Sequence, residues 1–119
     1  MPGRTSVRFL HDGEIWSVVE KWASASGFRI KEKARCERLY QKGSGIFGPP
    51  VMLKIRQDAQ ETVLEAWIRV NGFMRVLSLF IFPSEIGIES GGYLLWSDRR
   101  AARKAVNGLL SQLGQEPIP

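Results

Sequence analysis

The spacing of the apolar residues is the feature that most constrains how this 119-residue chain can fold. Apolar side chains recur every three or four residues in two stretches, 15–23 and 102–113, and alternate with polar side chains in much of the chain between them. The first spacing is typical of an amphipathic helix, whereas alternation is typical of a half-buried strand. Gly27 and Gly114 lie just beyond the two stripes, where glycine commonly ends a helix. The sequence therefore predicts a helix near each end of the chain and strands around them.

The predicted strands suit an antiparallel sheet. Alternation predicts strands near residues 5–9, 51–56, 63–70 and 86–89, and residues 28–41 are interpreted as one long strand. Asn71-Gly72 favours a type I′ hairpin, and residues 73–82, apolar on both faces, predict a central strand covered on both sides or lying at an interface. We predict an α+β fold: an antiparallel, curved sheet of about five or six strands, with an N-terminal crossover helix and a C-terminal closing helix on one face.

The chain is predicted to form a single domain over residues 1–119, because 13.4 kDa is a common size for one hydrophobic core. Residues 42–50 are rich in glycine and proline and predict a flexible loop, and prolines make residues 115–119 an extended tail. Asp12 and Ser97 are the predicted helix N-caps. Arg99 and Arg100 fall in the first turn of the closing helix, where cations oppose the helix dipole, and they are expected on its surface.

Charge and targeting signals limit the compartment and the partners. Lys and Arg number 17 against 12 Asp and Glu, a net charge of +5, which would attract nucleic acid, anionic lipid or acidic proteins. The start of the chain lacks the apolar core of a signal peptide, and the longest apolar run is shorter than the roughly 20 residues of a membrane helix. One cysteine allows no intramolecular disulfide. We expect a soluble, cytoplasmic protein with no membrane contact.

Two features are candidates for an interaction surface. A row of four cations falls on one face of the predicted long strand and could follow a phosphate backbone. These cations are Arg29, Lys31, Lys33 and Arg35. The alternative is a solvated strand face whose lysines discourage edge pairing. Trp67 lies between Glu65 and Arg69, which predicts an outward-facing tryptophan of the kind that often marks an interface.

The sequence contains no set of residues that predicts catalysis, a metal site or a cofactor site. Residues 43–48 match the G-x-G-x-x-G pattern, but Pro49-Pro50 and a strand follow where a nucleotide-binding helix would have to begin. His11 is the only histidine, and Cys36 lies on the more apolar side of its predicted strand. Glu85 and Glu89 would lie about 13 Å apart on one strand, too far to share a proton. We therefore expect no enzymatic activity and no cofactor.

The order of elements resembles a known architecture. Strand, helix, strands and closing helix follow the β-α-β4-α order of TBP-like folds, which include helix-grip domains of the START or Bet v 1-like type. The stretch from Phe82 to Glu89, followed by the basic helix from Arg99 to Gly114, is similar to the end of small bacterial domains of unknown function. The resemblance implies an apolar ligand between sheet and last helix, and it supplies no site residues.

Three functions are compatible with these patterns. The first is a non-enzymatic intracellular binding domain that associates with itself, as a homodimer, or with another protein. An alternative is a small apolar-ligand carrier with a pocket between the sheet and the C-terminal helix. A second alternative is nucleic-acid binding through the basic strand face. The first hypothesis is favoured because no stacking aromatic accompanies the cation row and residues 73–82 are apolar on both sides.

Overall fold

A computed structural model describes residues 4–43, 49–69, 85–90 and 96–119. Six strands and two helices lie in this part of the chain. In chain order they are β1 (Thr5–Leu10), α1 (Trp16–Ser26), β2 (Arg29–Lys33), β3 (Glu37–Lys42), β4 (Val51–Asp58), β5 (Glu61–Arg69), β6 (Glu85–Ile86) and α2 (Trp96–Gln112). Neither α1 nor α2 has both the length and the apolar character needed to cross a membrane.

The strands form one antiparallel sheet in the order β1-β5-β4-β3-β2. The short β6 pairs with Ile68 and Arg69 at the end of β5. It lies on the same side of β5 as β1, which pairs with residues 61–66 of that strand. The α+β architecture, with an antiparallel sheet and helices from the two ends of the chain, confirms the fold predicted from periodicity.

The hydrophobic core lies between the sheet and the two helices. Leu53 of β4 and Leu64 of β5 are fully buried beneath Val19 of α1 and Leu109 of α2. The indole N–H of Trp22 donates a hydrogen bond of 2.9 Å to the Ala105 carbonyl, which joins the helices directly. Both predicted apolar stripes therefore pack on the same side of the sheet.

Helix α1 begins later than its sequence predicts. Asp12 does not cap the helix; Ile15 occupies the N-cap position without a side-chain hydrogen bond. The Glu14 carboxylate instead accepts a hydrogen bond of 2.9 Å from the Ser17 backbone N–H. The prediction at Gly27 is confirmed: its φ of 80° ends the helix and brings Phe28 onto the Trp22 ring, 4.7 Å between centroids.

The C-terminal tail packs against α2. The helix begins at Trp96, one residue before the predicted cap at Ser97, and Gly114 turns the chain back with a φ of 73°. The Asn107 amide then holds Ile118 at both ends, accepting from its backbone N–H at 2.7 Å and donating to its carbonyl at 3.1 Å. Ile118 is buried and joins the core, whereas Glu116, Pro117 and Pro119 are exposed.

The long strand predicted over residues 28–41 is wrong. The structure contains two strands, β2 and β3, joined by a tight turn in which the Ala34 N–H donates to the Glu37 carbonyl at 2.8 Å. The last predicted strand begins one residue early and is only two residues long. The predicted hairpin at residues 71–72, the strand over 73–82 and the glycine-rich residues 44–48 lie outside the described residues.

Candidate interaction surface

The face of the sheet opposite α1 and α2, here called the outer face, carries most of the charged side chains of the strands. It exists because the strands alternate: in β5, Leu64, Ala66 and Ile68 point into the core, so Glu65 and Trp67 point away from it. Register brings outer-face residues of neighbouring strands together, and Glu65 pairs with Ser6 on one side and Lys54 on the other.

Two shallow depressions lie on the outer face, with volumes of about 390 Å³ and 290 Å³. Their linings combine both signs of charge in equal number. The cations are Arg4, Arg8, Lys33, Lys54 and Arg56, and the carboxylates are Glu32, Glu37, Asp58, Glu61 and Glu65. The two depressions are therefore lined by a neutral mosaic of charges, although the chain as a whole is basic.

Ion pairs organise the mosaic. Arg8 lies 3.2 Å from Glu61, and Lys54 lies 3.3 Å from Glu37 on the neighbouring strand. Solvent-exposed pairs of this kind contribute only about 0–1 kcal/mol each to folding. Their side chains thus remain available to exchange partners with a second surface.

Trp67 lies on the outer face, but it is only 5% exposed. The Arg4 guanidinium covers its ring at 3.7 Å from the centroid. Two hydrogen bonds of 2.9 and 3.0 Å hold that guanidinium to Glu85, and Glu65 lies 3.7 Å from it. The bond to Glu85 raises the pKa of Arg4 above its ordinary value, outweighing the opposite effect of burial. The expectation of a solvent-exposed tryptophan is therefore wrong, because the Arg4 guanidinium stacks on the Trp67 ring and is held there by its two hydrogen bonds to Glu85.

The predicted row of four cations is not a single strand face. Pairing with β3 shifts between Ile30 and Glu32, so a bulge at Lys31 interrupts the alternation. Arg29 pairs with Gln41 on the outer face, while Lys33 pairs with Arg38, whose side chain contacts Glu20 of α1 at 2.9 Å. Arg35 lies in the turn after β2. All four cations are exposed, but they form no continuous line along one face.

A third depression, about 210 Å³, lies between the sheet and the first half of α2. Its walls are mainly apolar, with one cation and one carboxylate at its margin. They comprise Phe28, Pro49, Val51, Ala101, Ala102 and Ala105, with Lys42 and Asp98. The pocket predicted for a ligand carrier would lie in this place, between the sheet and the C-terminal helix.

Sequence reasoning missed a cluster that fastens residues 85–90 to the fold. The buried Ile88 N–H donates to the Thr5 hydroxyl at 2.8 Å, and that hydroxyl donates to the Glu89 carboxylate. Arg99 was expected on the helix surface, yet it is 2% exposed and donates to the Glu89 carbonyl. The one indication in the sequence was the position of Arg99 in the first turn of the helix, where a cation opposes the helix dipole.

Among the described residues, no group of three or more histidine, cysteine, aspartate or glutamate side chains is arranged to hold a metal ion. Cys36 is a free, half-buried thiol in the turn between β2 and β3. Comparison of the chain with known proteins finds no matching family model, no matching curated protein and no matching solved structure.

Proposed function

We propose that this chain is a non-enzymatic interaction domain that binds another protein through the outer face of its sheet. The observation that carries the proposal is the even balance of five cations and five carboxylates around the two outer depressions. Protein surfaces carry interspersed charges of both signs, and complementary charge patterns steer and align such partners. The exposed ion pairs can be exchanged for pairs with the partner at little cost.

The same balance argues against a nucleic acid as the partner. A phosphate backbone would meet five carboxylates among the cations of the outer face, and like-charge contacts oppose binding. The exposed cations of β2 are divided by a bulge, and Trp67 on the outer face is already stacked under Arg4. A single-strand binder needs free aromatic faces beside its cations.

Site-specific photo-crosslinking in the source cells tests the proposal. A photoreactive amino acid replaces Ser6, exposed on the outer face, and a matched variant carries it at Ser111, exposed on α2. From position 6 we expect a discrete adduct, identified by mass as a protein other than a second copy of this chain, that disappears when Arg56→Glu is added, and no adduct from position 111. Equal adducts from both positions, or adducts with nucleic acid at position 6, would contradict the proposal.

A second candidate function is carriage of a small apolar ligand in the depression beside α2. Its apolar lining supports this function, whereas its volume of about 210 Å³ is below the roughly 300–1,000 Å³ of most ligand pockets. Ala105→Trp would fill the space, with Ser111→Trp as the surface control. If the domain is a carrier, a bound fluorescent fatty-acid probe should be lost only from the first variant; no saturable binding by the wild-type chain would exclude this function.

A further inference from the structure

We infer that a second copy of this chain pairs with the edge of β1 that faces away from β5, called the free edge because no described strand occupies it, so that two sheets join across a two-fold axis at Val7. This pairing is made by backbone groups at the edge of β1, which borders the outer face, and it does not depend on the proposed function.

The backbone of β1 has hydrogen-bonding groups directed away from the sheet. The His11 N–H donates to the Gln60 carbonyl at 2.8 Å, and β1 continues this pairing with β5 residue by residue. In an antiparallel ladder hydrogen-bonded pairs alternate with non-bonded ones, so the odd-numbered residues of β1 bond to β5. The N–H and C=O groups of Ser6, Arg8 and Leu10 therefore point to the other side, where no described strand lies.

The two edges of the sheet differ in how they are protected. At the far edge, β2 is Arg-Ile-Lys-Glu-Lys, fully exposed and interrupted by a bulge, which is typical of an edge that resists pairing. β1 is Thr-Ser-Val-Arg-Phe-Leu, with a single charge, no proline and an unbroken register against β5. Its Leu10 is 72% exposed. The edge at β1 is thus the one suited to accept a strand.

Side-chain chemistry selects both the occupant and the register. An antiparallel second copy centred on Val7 places Ser6 opposite Arg8 of the second copy and Thr5 opposite Phe9 of the second copy. The two side chains of each pair then lie on the same face of the joined sheet. The N–H and C=O groups of Ser6 that point away from β5 face those of Arg8 in the second copy. Moving the centre to Arg8 would oppose two arginines, which is unfavourable. β1 is therefore self-complementary when the pairing is centred on Val7.

The inference is tested by measuring the oligomeric state of two variants that differ only at position 8. Arg8→Pro removes an N–H that points to the free edge, so the pairing with β5 survives while the new pairing loses hydrogen bonds. Arg8→Ala keeps the N–H and removes only the charge. By sedimentation velocity at micromolar concentration, we expect dimers for the wild-type chain and Arg8→Ala, and a monomer with an unchanged circular dichroism spectrum for Arg8→Pro. A monomeric wild-type chain at several hundred micromolar, or a dimeric Arg8→Pro variant, would overturn the inference.

Cross-linking keeps the test decisive if Arg8→Pro does not fold. In a Cys36→Ser background, Val7→Cys places two thiols opposite each other on the axis in a non-hydrogen-bonded pair, the closest cross-strand position. Ser6→Cys serves as the control, because Ser6 faces Arg8 of the second copy. We expect oxidation to give a covalent dimer from Val7→Cys only. Equal cross-linking of both variants, or none from Val7→Cys, would show that this register is wrong.

Discussion

At the scale of single residues, a small cluster of polar contacts fastens residues 85–90 to the two ends of the fold. Thr5 begins an edge strand, yet its hydroxyl satisfies the buried Ile88 N–H at 2.8 Å, 83 residues away. Gly87 beside it has no room for a side chain, since a Cβ there would lie 2.9 Å from the Thr5 hydroxyl oxygen. The buried Arg99 guanidinium donates a hydrogen bond to the Glu89 carbonyl. These residues together hold residues 85–90 between β1 and α2.

Replacing Thr5 with valine should therefore destabilise the domain. The shape is kept, but the Ile88 N–H loses its acceptor in a buried position, at a cost of about 1–3 kcal/mol. Urea unfolding followed by tryptophan fluorescence measures the change, and Ser6→Ala, at the exposed neighbouring position, should change the free energy of unfolding by less than about 0.5 kcal/mol. Equal effects at the two positions would mean that Thr5 does not hold Ile88.

The start of α1 offers a second test at this scale. Glu14→Ala removes the acceptor of the Ser17 N–H, and loss of such a capping contact costs about 1 kcal/mol. Asp12→Ala should have almost no effect, because Ile15 occupies the N-cap position and Asp12 lies outside the helix. Thermal unfolding by circular dichroism compares the two variants, and a larger loss from Asp12→Ala would restore the cap predicted from sequence.

At the scale of elements, the packing of α2 against the sheet closes the core. Leu109 is fully buried in the core cluster that also contains Leu64 of β5, and the Trp22 indole joins α1 to α2 at Ala105. The tail then covers the end of this layer through Asn107 and Ile118. Helices, sheet and tail are thus expected to unfold together.

Leu109→Ala should cost about 2–5 kcal/mol, the range for a leucine truncated in a tightly packed core. Equilibrium unfolding in urea gives the value, with Ser111→Ala on the exposed side of α2 as the control. A loss below about 1 kcal/mol would show that α2 is not docked on the sheet as described.

At the scale of the whole molecule, the net charge is +5, whereas the two signs balance around the two outer depressions. Exposed cations lie both on β2 and on α2. General attraction to polyanions is therefore expected without a localised phosphate site.

Heparin chromatography with two double variants tests this expectation. Lys31→Gln with Lys33→Gln on β2, and Arg100→Gln with Lys104→Gln on α2, each remove two exposed charges. Both should elute earlier than the wild-type chain by the same amount, because only total charge matters. If β2 instead follows phosphates, its variant alone should weaken binding to RNA, and the slope of log affinity against log salt should fall by about 0.7–0.9 per lost contact.

Sequence alone determined the features whose causes lie within a few residues of one another. The helical stripes, the end of α1 at Gly27 and the alternation of β4 and β5 follow from local geometry, so they could be predicted. The division of residues 28–41 into two strands could not be predicted, because the bulge at Lys31 and the turn before Glu37 depend on pairing between strands. The cation row therefore looked continuous in sequence and is not continuous in the sheet.

Only the tertiary structure decided which side chains meet across the sheet. Arg4 reaches Glu85 across 81 residues and covers Trp67, which turned an expected exposed aromatic into a buried one. The balance of charges around the two outer depressions likewise depends on the strand order β1-β5-β4-β3-β2, since each strand alone carries its own unbalanced set of charges. Periodicity states which face a residue occupies, but pairing between distant strands sets its neighbours, and those neighbours determine its burial, its charge partner and the chemistry of the surface.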